Sequence, residues 1–357
     1  MSEITAASDA LRKRLRRQEA TTLRDVATLH RTAVAELRLA LAVAVRDLAG
    51  VAAGDASRDA AGRLTEAGMK RLAEQRLRTL LPQAEATYAR FAQAAGRTIV
   101  TAQIDVVAAA QDDVRRLVLA SIGPAPAGAV LPFSVLPQGA LLELAGTLSP
   151  GSPLRALLDG YGQRVASTIE RELIGGIAAG RNPRDVARRI MRQVGSGERA
   201  RLLTTARTEM LRSHREAMRR AMQANSRIVK GWRWSAARDT RTCLACLAMD
   251  GRVFKLERPM PAHVSCRCQL SPITVSWRDL GYDVADLPPP ETGRAWFDRQ
   301  PMAVQRSMLG ERAYAAYADG DLDLGAFIAY RLSRQWGSSV TQRPVGQVLG
   351  TSRRKAA

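Results

Sequence analysis

Four cysteines and one histidine carry the most conspicuous chemistry in the sequence: Cys243-x2-Cys246, sixteen residues, then His263-x2-Cys266-x-Cys268. All the Cys of this 357-residue chain lie in that one segment. A Cys-x2-Cys turn offers two thiolates at a spacing that suits one tetrahedral Zn²⁺, and a second close pair brought back by a hairpin completes the shell. Five candidates compete for four places. One set is Cys243, Cys246, Cys266 and Cys268; the other is a Cys3His set in which His263 replaces one end of Cys266-x-Cys268. On an extended segment Cys266 and Cys268 point to one face, so both ligate only where that face is turned to the metal. Two readings without a structural ion stand beside these. A redox Cys-x2-Cys lacks the βαβ setting such a motif occupies, and the four thiols could simply be reduced and structural. A closed four-ligand site is structural, because no position remains for a reacting water.

A three-ligand centre would leave metal-dependent hydrolysis open. The chain has only three His, which excludes most His-rich nuclease centres. Glu257 and Asp250 are the nearest carboxylates that could act as bases, and Asp250 reads better as a turn residue. No GxxxxGK[ST], GxGxxG or GxSxG occurs, so phosphate-loop, dinucleotide and serine-hydrolase chemistry have no motif here. An enzyme is not expected.

The elements around the cluster change in texture along the chain. Leu11, Leu15, Leu23, Val26, Leu29, Val34, Leu37, Leu41 and Val45 recur at helical steps, predicting a long amphipathic helix from Ser8 to about Gly50. Further helical runs cover about Ala60–Leu81, broken by Pro82, and Ala84–Ile122. A Pro/Gly-rich connector follows at residues 123–158. Helices resume at Arg155–Ala179 and after Asn182-Pro183, with Pro at the first helical position. Gly195-Ser196-Gly197 separates that helix from a long one over Glu198–Asn225. All five Trp lie beyond residue 230. Alternation at Val229, Trp232 and Trp234, with Asp250-Gly251, predicts short strands and a tight hairpin. That hairpin, Trp232 to Pro272, is short enough that a metal would substitute for its core. Two or three short helices and a basic, frayed TSRRKAA end follow.

The fold class expected is mainly α with a small α+β domain. The expected parts are a helical arm (1–122), the connector (123–158), a central helical domain ending in the zinc-bound hairpin (159–278) and a helical tail (279–357). No apolar run approaches a membrane span, and MSEITAASDALRKRLRRQ offers no signal-peptide core, so a soluble cytoplasmic protein is expected.

The net charge is +20. Between Arg181 and Arg241 seventeen Arg/Lys face five acids, which concentrates much of that excess in the helices before the cysteines. Arg212, Arg215 and Arg219, one turn apart with Arg220 beside them, suit salt-sensitive, sequence-independent contact with the phosphates of double-stranded DNA. The alternative is a solvated helix face. No aromatics interleave with the basic residues of the helical part, Arg181–Arg227, which argues against a platform for single strands.

Taken together, Ala206-Arg207-Thr208-Glu209, Trp234, Asp239-x-Arg241-Thr242-Cys243-x2-Cys246, Asp250-Gly251 and Pro261-x-His263-x2-Cys266-Arg267-Cys268 resemble the phage Mu F-like family of minor head proteins. The segment GGIAAGRNPRDVARRI and the tail GRAWFDRQPMAVQRSMLGERAYAAYADGDLDL are similar to that family as well. The likeness spans about residues 160–335 and departs at Val264, where the family usually has Pro. The resemblance implies a few-copy capsid component, non-enzymatic, inside the phage head near the portal and in the host cytoplasm during assembly, prophage-encoded in some cases. Its implied partners are the portal, the major capsid or scaffold proteins, and packaged DNA. A sequence-specific DNA-binding protein built on the zinc hairpin, a metal-dependent nuclease or toxin, and a purely structural helical scaffold are the rival readings.

Overall fold

The structure, a computed structural model, describes residues 3–51, 66–137, 139–140, 153–179, 183–285, 287–333 and 337–355. It is mainly helical with small antiparallel sheets. Two compact units divide the chain. The first takes Met1–Glu19, Ala102–Gly146 and Thr208–Ala357, and the second Ala20–Thr101 and Thr147–Arg207. Among the described residues no helix is long and apolar enough to cross a membrane.

Helix α1 (Glu3–Val51) follows the apolar period of the sequence. Ile4, Leu11 and Leu15 enter the core of the first unit, and Val26, Leu37 and Leu41 that of the second. Helix α2 (Glu66–Ile122) differs from expectation, because Pro82 lies inside it and does not end it. Proline removes one hydrogen bond and crowds the preceding turn. Leu80 and Ala84, both buried, hold the helix to the core on either side. Residues 60–65, where that helical run was expected to begin, lie outside the described residues.

The second unit continues with α3 (Pro153–Asp159), α4 (Tyr161–Ala178) and α5 (Pro183–Arg192). Gly195-Ser196-Gly197 does not break the chain as expected. It widens into a π-helical turn, Gln193–Glu198, that runs on into α6 (Arg199–Ala224). The core of this unit is an aromatic knot. Tyr88 stacks on Tyr161 with centroids 5.8 Å apart, Phe91 meets Tyr161 at 5.3 Å, and the buried His30 ring lies 5.4 Å from Phe91.

In the first unit, β1 (Val229–Ser235) is the middle strand of a three-stranded antiparallel sheet, between β2 (Val253–Phe254) and β3 (Gln269–Thr274). A short helix, α7 (Leu244–Met249), lies between β1 and β2, so the expected tight hairpin is a wider unit. Gly251, at φ +90°, closes it by donating to the Trp234 carbonyl at 2.9 Å, a conformation that suits glycine. Trp232 and Trp234 are fully buried, and Trp232 stacks on Phe254 at 4.3 Å. Each buried Trp contributes on the order of 2–3 kcal/mol of apolar transfer free energy. The cysteine segment therefore belongs to a core larger than the hairpin alone would bury.

Residues 123–137 of the connector are laid along this unit by two side-chain amides, while its end, from Pro153, is already the helix α3. Gln111 donates to the Leu136 carbonyl at 3.0 Å and accepts from its N–H at 2.6 Å. Asn225 accepts from the Ser134 N–H at 2.7 Å and donates to its carbonyl at 2.9 Å. Each amide thus satisfies the loop backbone as a neighbouring strand would.

The tail supplies the expected short helices, α8 (Gly293–Asp298), α9 (Met302–Leu309) and α10 (Glu311–Ala318). It also supplies elements not foreseen: a 3₁₀ turn over Leu324–Phe327, a hairpin of β4 (Ile328–Ser333) with β5 (Gly337–Gln342), and α11 (Val345–Lys355). Phe297, Leu324, Phe327 and Val340 are buried in the same core as Trp232 and Leu247.

Candidate metal centre

Cys243 begins the site as the N-cap of α7, its sulfur accepting from the Cys246 N–H at 3.4 Å. The cap turns Cys246 back toward Cys243, so both thiols face one point. An Asx-type turn leads into this cap: Asp239 accepts from the Arg241 N–H at 3.1 Å and from the Thr242 hydroxyl at 3.0 Å. Arg267 clamps the same carboxylate with two bonds of 2.6 and 2.8 Å. Burial pushes the Asp239 carboxyl up, but the Arg267 guanidinium and the Thr242 hydroxyl outweigh it and hold the group at about 2.

The second arm returns through a strained turn. The Cys266 N–H donates to the His263 carbonyl at 3.0 Å, and Ser265 between them sits at φ +59°. A non-glycine residue there costs of order 1 kcal/mol and persists where its surroundings fix it. The Thr208 hydroxyl of α6 does so by accepting the Ser265 N–H at 3.0 Å.

The result is a convergence of all five expected donors. His263 Nε2 lies 3.4 Å from Cys243 Sγ and 3.3 Å from Cys246 Sγ, and Cys246 Sγ lies 3.8 Å from Cys266 Sγ. Two overlapping triads, Cys243–Cys246–His263 and Cys246–Cys266–Cys268, each hold their donor atoms within 4.8 Å of one another. Ideal tetrahedral Zn²⁺ with its usual bond lengths sets edges of about 3.8 Å between sulfurs and about 3.6 Å between sulfur and imidazole nitrogen. The observed spacings match those edges, and all four cysteines are free thiols. His263 Nδ1 lies 2.8 Å from the Val264 carbonyl. Donation there leaves Nε2 free for a metal, the arrangement typical of ligating imidazoles. Cys246, Cys266 and Cys268 are buried, while Cys243 and His263 form a partly exposed rim through which an ion would enter.

The protonation balance points the same way. The hydrogen bond from Cys246 holds the Cys243 thiol down at about 5, and the same neighbour lowers Cys266. Cys246 is pushed up by its bond to Cys243 and by the other thiols. Cys268 is drawn down by Cys246, but the Cys266 thiolate and burial push it well up. Burial pushes His263 down, but the thiolates of Cys243 and Cys266 outweigh it and raise it to about 11. Thiolates gathered around an imidazolium make a site that a divalent cation can fill by displacing protons. The cluster can hold a metal ion. The neighbouring strands are antiparallel, unlike the βαβ setting of redox Cys-x2-Cys motifs.

The basic residues behave differently from expectation. Arg215 and Arg219 are buried, with Arg219 bonding the Leu256 carbonyl at 3.0 Å and the Glu216 carboxylate at 2.8 Å. Arg212 and Arg220 are exposed, each with 55% of its side chain accessible. The helical spacing predicted one shared solvent face, but packing of α6 against residues 256–268 turns two of the four arginines inward.

Supports outside the segment were not anticipated. The Leu244 N–H donates to Gln342 Oε1 at 2.8 Å, and the Val340 N–H to the Pro261 carbonyl at 2.7 Å. From α1, Arg12 bonds the Ser235 hydroxyl at 3.0 Å and Arg16 the Asp239 carboxylate at 3.1 Å. No local pattern marks these contacts, since each joins residues far apart in sequence.

Residues 167–271 match the family model described as "Phage Mu protein F like protein". No curated protein and no solved structure matches the chain. The matched stretch contains every donor of the cluster together with Thr208, Arg215 and Asp239.

Proposed function

Proceeding from the phage Mu F-like region at residues 167–271, we propose that the chain is a phage head morphogenesis protein. It is a minor capsid component that works beside the portal during procapsid assembly and DNA packaging or ejection, and it is not an enzyme. The observation that carries this reading is the convergence of five Cys/His donors inside the family-matched stretch.

The resident ion is Zn²⁺, held by Cys246 and Cys266 with two of Cys243, His263 and Cys268. It supplies cross-linking of two loops and no reactive water, because four protein donors fill its shell. The residues around it build a rigid surface. Asp239 and Arg267 lock the two arms together, Thr208 fixes the turn at Ser265, and Gln342 ties α7 to the tail. Such a surface suits docking on the portal or on capsid and scaffold proteins. Packaged double-stranded DNA is met by exposed cations such as Arg212, Arg220, Arg227 and Lys230, without reading sequence.

Co-expression with the portal protein of the same phage, followed by purification of the portal ring, tests the reading. The full-length chain is expected to co-purify with the ring in few copies and to be found in assembled heads. Its absence from heads, a footprint on one defined DNA sequence, or metal-dependent DNA cleavage would each overturn it.

A further inference from the structure

We propose that Arg215 positions Cys266 and Cys268 for metal binding by bonding both of their main-chain carbonyls from α6, while its charge offsets the thiolates that a bound metal would hold. The inference rests on the metal reading above.

Arg215 is 5% exposed, and its Nη1 donates to the Cys266 carbonyl at 3.0 Å and to the Cys268 carbonyl at 3.3 Å. In an extended segment the carbonyls of residues i and i+2 point to one side, so a single guanidinium spans both. This bond pair fixes the pitch of the Cys-x-Cys arm, and with it the direction of both sulfurs. The residue between them, Arg267, sends its side chain to Asp239. The arm is therefore held through the backbone of its two cysteines and through the side chain of the residue that separates them.

Helix α6 is built as a jig for this loop. Thr208, Arg215 and Arg219 lie seven and four residues apart, on one face. They bond, in order, the Ser265 N–H, the Cys266 and Cys268 carbonyls, and the Leu256 carbonyl. One helix thus sets both ends of the 256–268 loop.

A buried guanidinium needs compensation, because an uncompensated buried charge costs several kcal/mol. No carboxylate oxygen lies within 4.0 Å of Arg215 in any ion pair of the described residues. Glu209, an acid on the same helix, is itself buried and pushed toward its neutral form, with Arg212 and Arg215 acting against that. The thiolates that a bound metal would hold supply that compensation. A Zn²⁺ site with three or four thiolates carries net charge of −1 or −2, which Arg215 reduces.

The test compares full-length wild type with Arg215→Lys and Arg215→Met, loaded with Co²⁺ as the probe and titrated against a competing chelator. Wild type is expected to bind one Co²⁺ with the absorption of a tetrahedral thiolate site. Arg215→Met is expected to lose roughly 10- to 100-fold in affinity, the range for residues that orient ligands. Arg215→Lys keeps the charge, but its shorter side chain stops short of the position that Nη1 occupies between the two carbonyls, so it should recover part of the affinity and keep a shifted spectrum. If Arg215→Met does not fold, Arg215→Lys decides alone: affinity and spectrum equal to wild type would overturn the proposal. Folded variants that both match wild type would do the same. Failure of the wild type itself to bind Co²⁺ or Zn²⁺ would instead remove the metal reading on which the proposal stands.

Discussion

Gln342, in the last strand of the chain, accepts a hydrogen bond from the backbone of Leu244, the first residue of the helix capped by Cys243. A helix of six residues has no interior, and its leading N–H groups must find partners outside it. The tail is thus part of the frame that presents the Cys-x2-Cys pair. Gln342→Leu should leave the Leu244 N–H unsatisfied and cost about 1–3 kcal/mol. Chemical denaturation of the full chain measures this. Hydrogen exchange should localise the loss to α7 and β5, and an unchanged midpoint would remove the role assigned to the bond.

Cys246 belongs to both donor triads, whereas Cys243 and Cys268 each belong to one. Cys246→Ser should therefore abolish stoichiometric metal binding, while Cys268→Ser leaves four donors and retains it with weaker affinity. Elemental analysis of purified variants separates the two. Equal metal content in Cys246→Ser and wild type would contradict the geometry described above.

Chelation should loosen the protein locally. Trp232, Trp234, Leu270 and Trp277 are buried in a core that extends well beyond the donors. Removal of the ion is expected to raise hydrogen exchange over residues 255–268 and in α7, with helix content nearly unchanged by circular dichroism. Global unfolding on chelation would show that the surrounding core is weaker than its burial implies.

His30, in the second unit, ties stability to pH. Burial among Tyr88 and Phe91 and the nearby Arg199 charge lower it from 6.5 to about 4, against a bond to the Val194 backbone that raises it. The neutral ring is the form that fits. Its contribution is complete above pH 6.5 and is lost as pH falls from 6.5 toward 4. The maximum loss is on the order of 3 kcal/mol. His30→Phe should flatten the acid limb of the stability profile measured between about pH 7 and 4. A profile identical to that of wild type would exclude His30 as its source.

DNA binding should track exposure. Arg212→Ala with Arg220→Ala is expected to weaken binding uniformly across sequences and to reduce the salt slope by about one for each phosphate left without its cation. The fold should be unaffected, since both residues are largely exposed. Arg219→Ala should instead destabilise the chain by removing its bonds to the Leu256 carbonyl and Glu216. Filter binding at several salt concentrations, with melting curves, distinguishes the two classes.

How far the amino-acid sequence discloses this molecule follows from the range of each interaction. The long helices are legible because Leu11, Leu15, Val26, Leu37 and Leu41 repeat at a local period. The donors are legible because Cys and His in tight spacing have few other uses. The strand over Val229–Ser235 shows in its alternation. Pro82 and Gly195-Ser196-Gly197 mislead, because core packing on both sides of each outweighs a local breaker. The inward turn of Arg215 and Arg219 is hidden for a similar reason. A helical period says which residues share a face, but the loop that covers the face comes some forty residues later. The β4–β5 hairpin leaves little trace, since Leu332 and Tyr330 face solvent and the alternation there is weak.

The bonds from Arg12 to Ser235 and from Arg16 to Asp239 join positions 223 residues apart. A ribosome adding about 5–20 residues per second needs roughly 10 to 45 s to make the intervening chain. Helix formation takes microseconds, so the first turns of α1 are helical long before their partners exist. During that interval Ile4, Leu11 and Leu15 lack the core that buries them in the finished protein. Synthesis of the chain thus includes a period in which α1 presents an incompletely covered apolar stripe, flanked by the charges of Arg12, Arg14, Arg16 and Arg17.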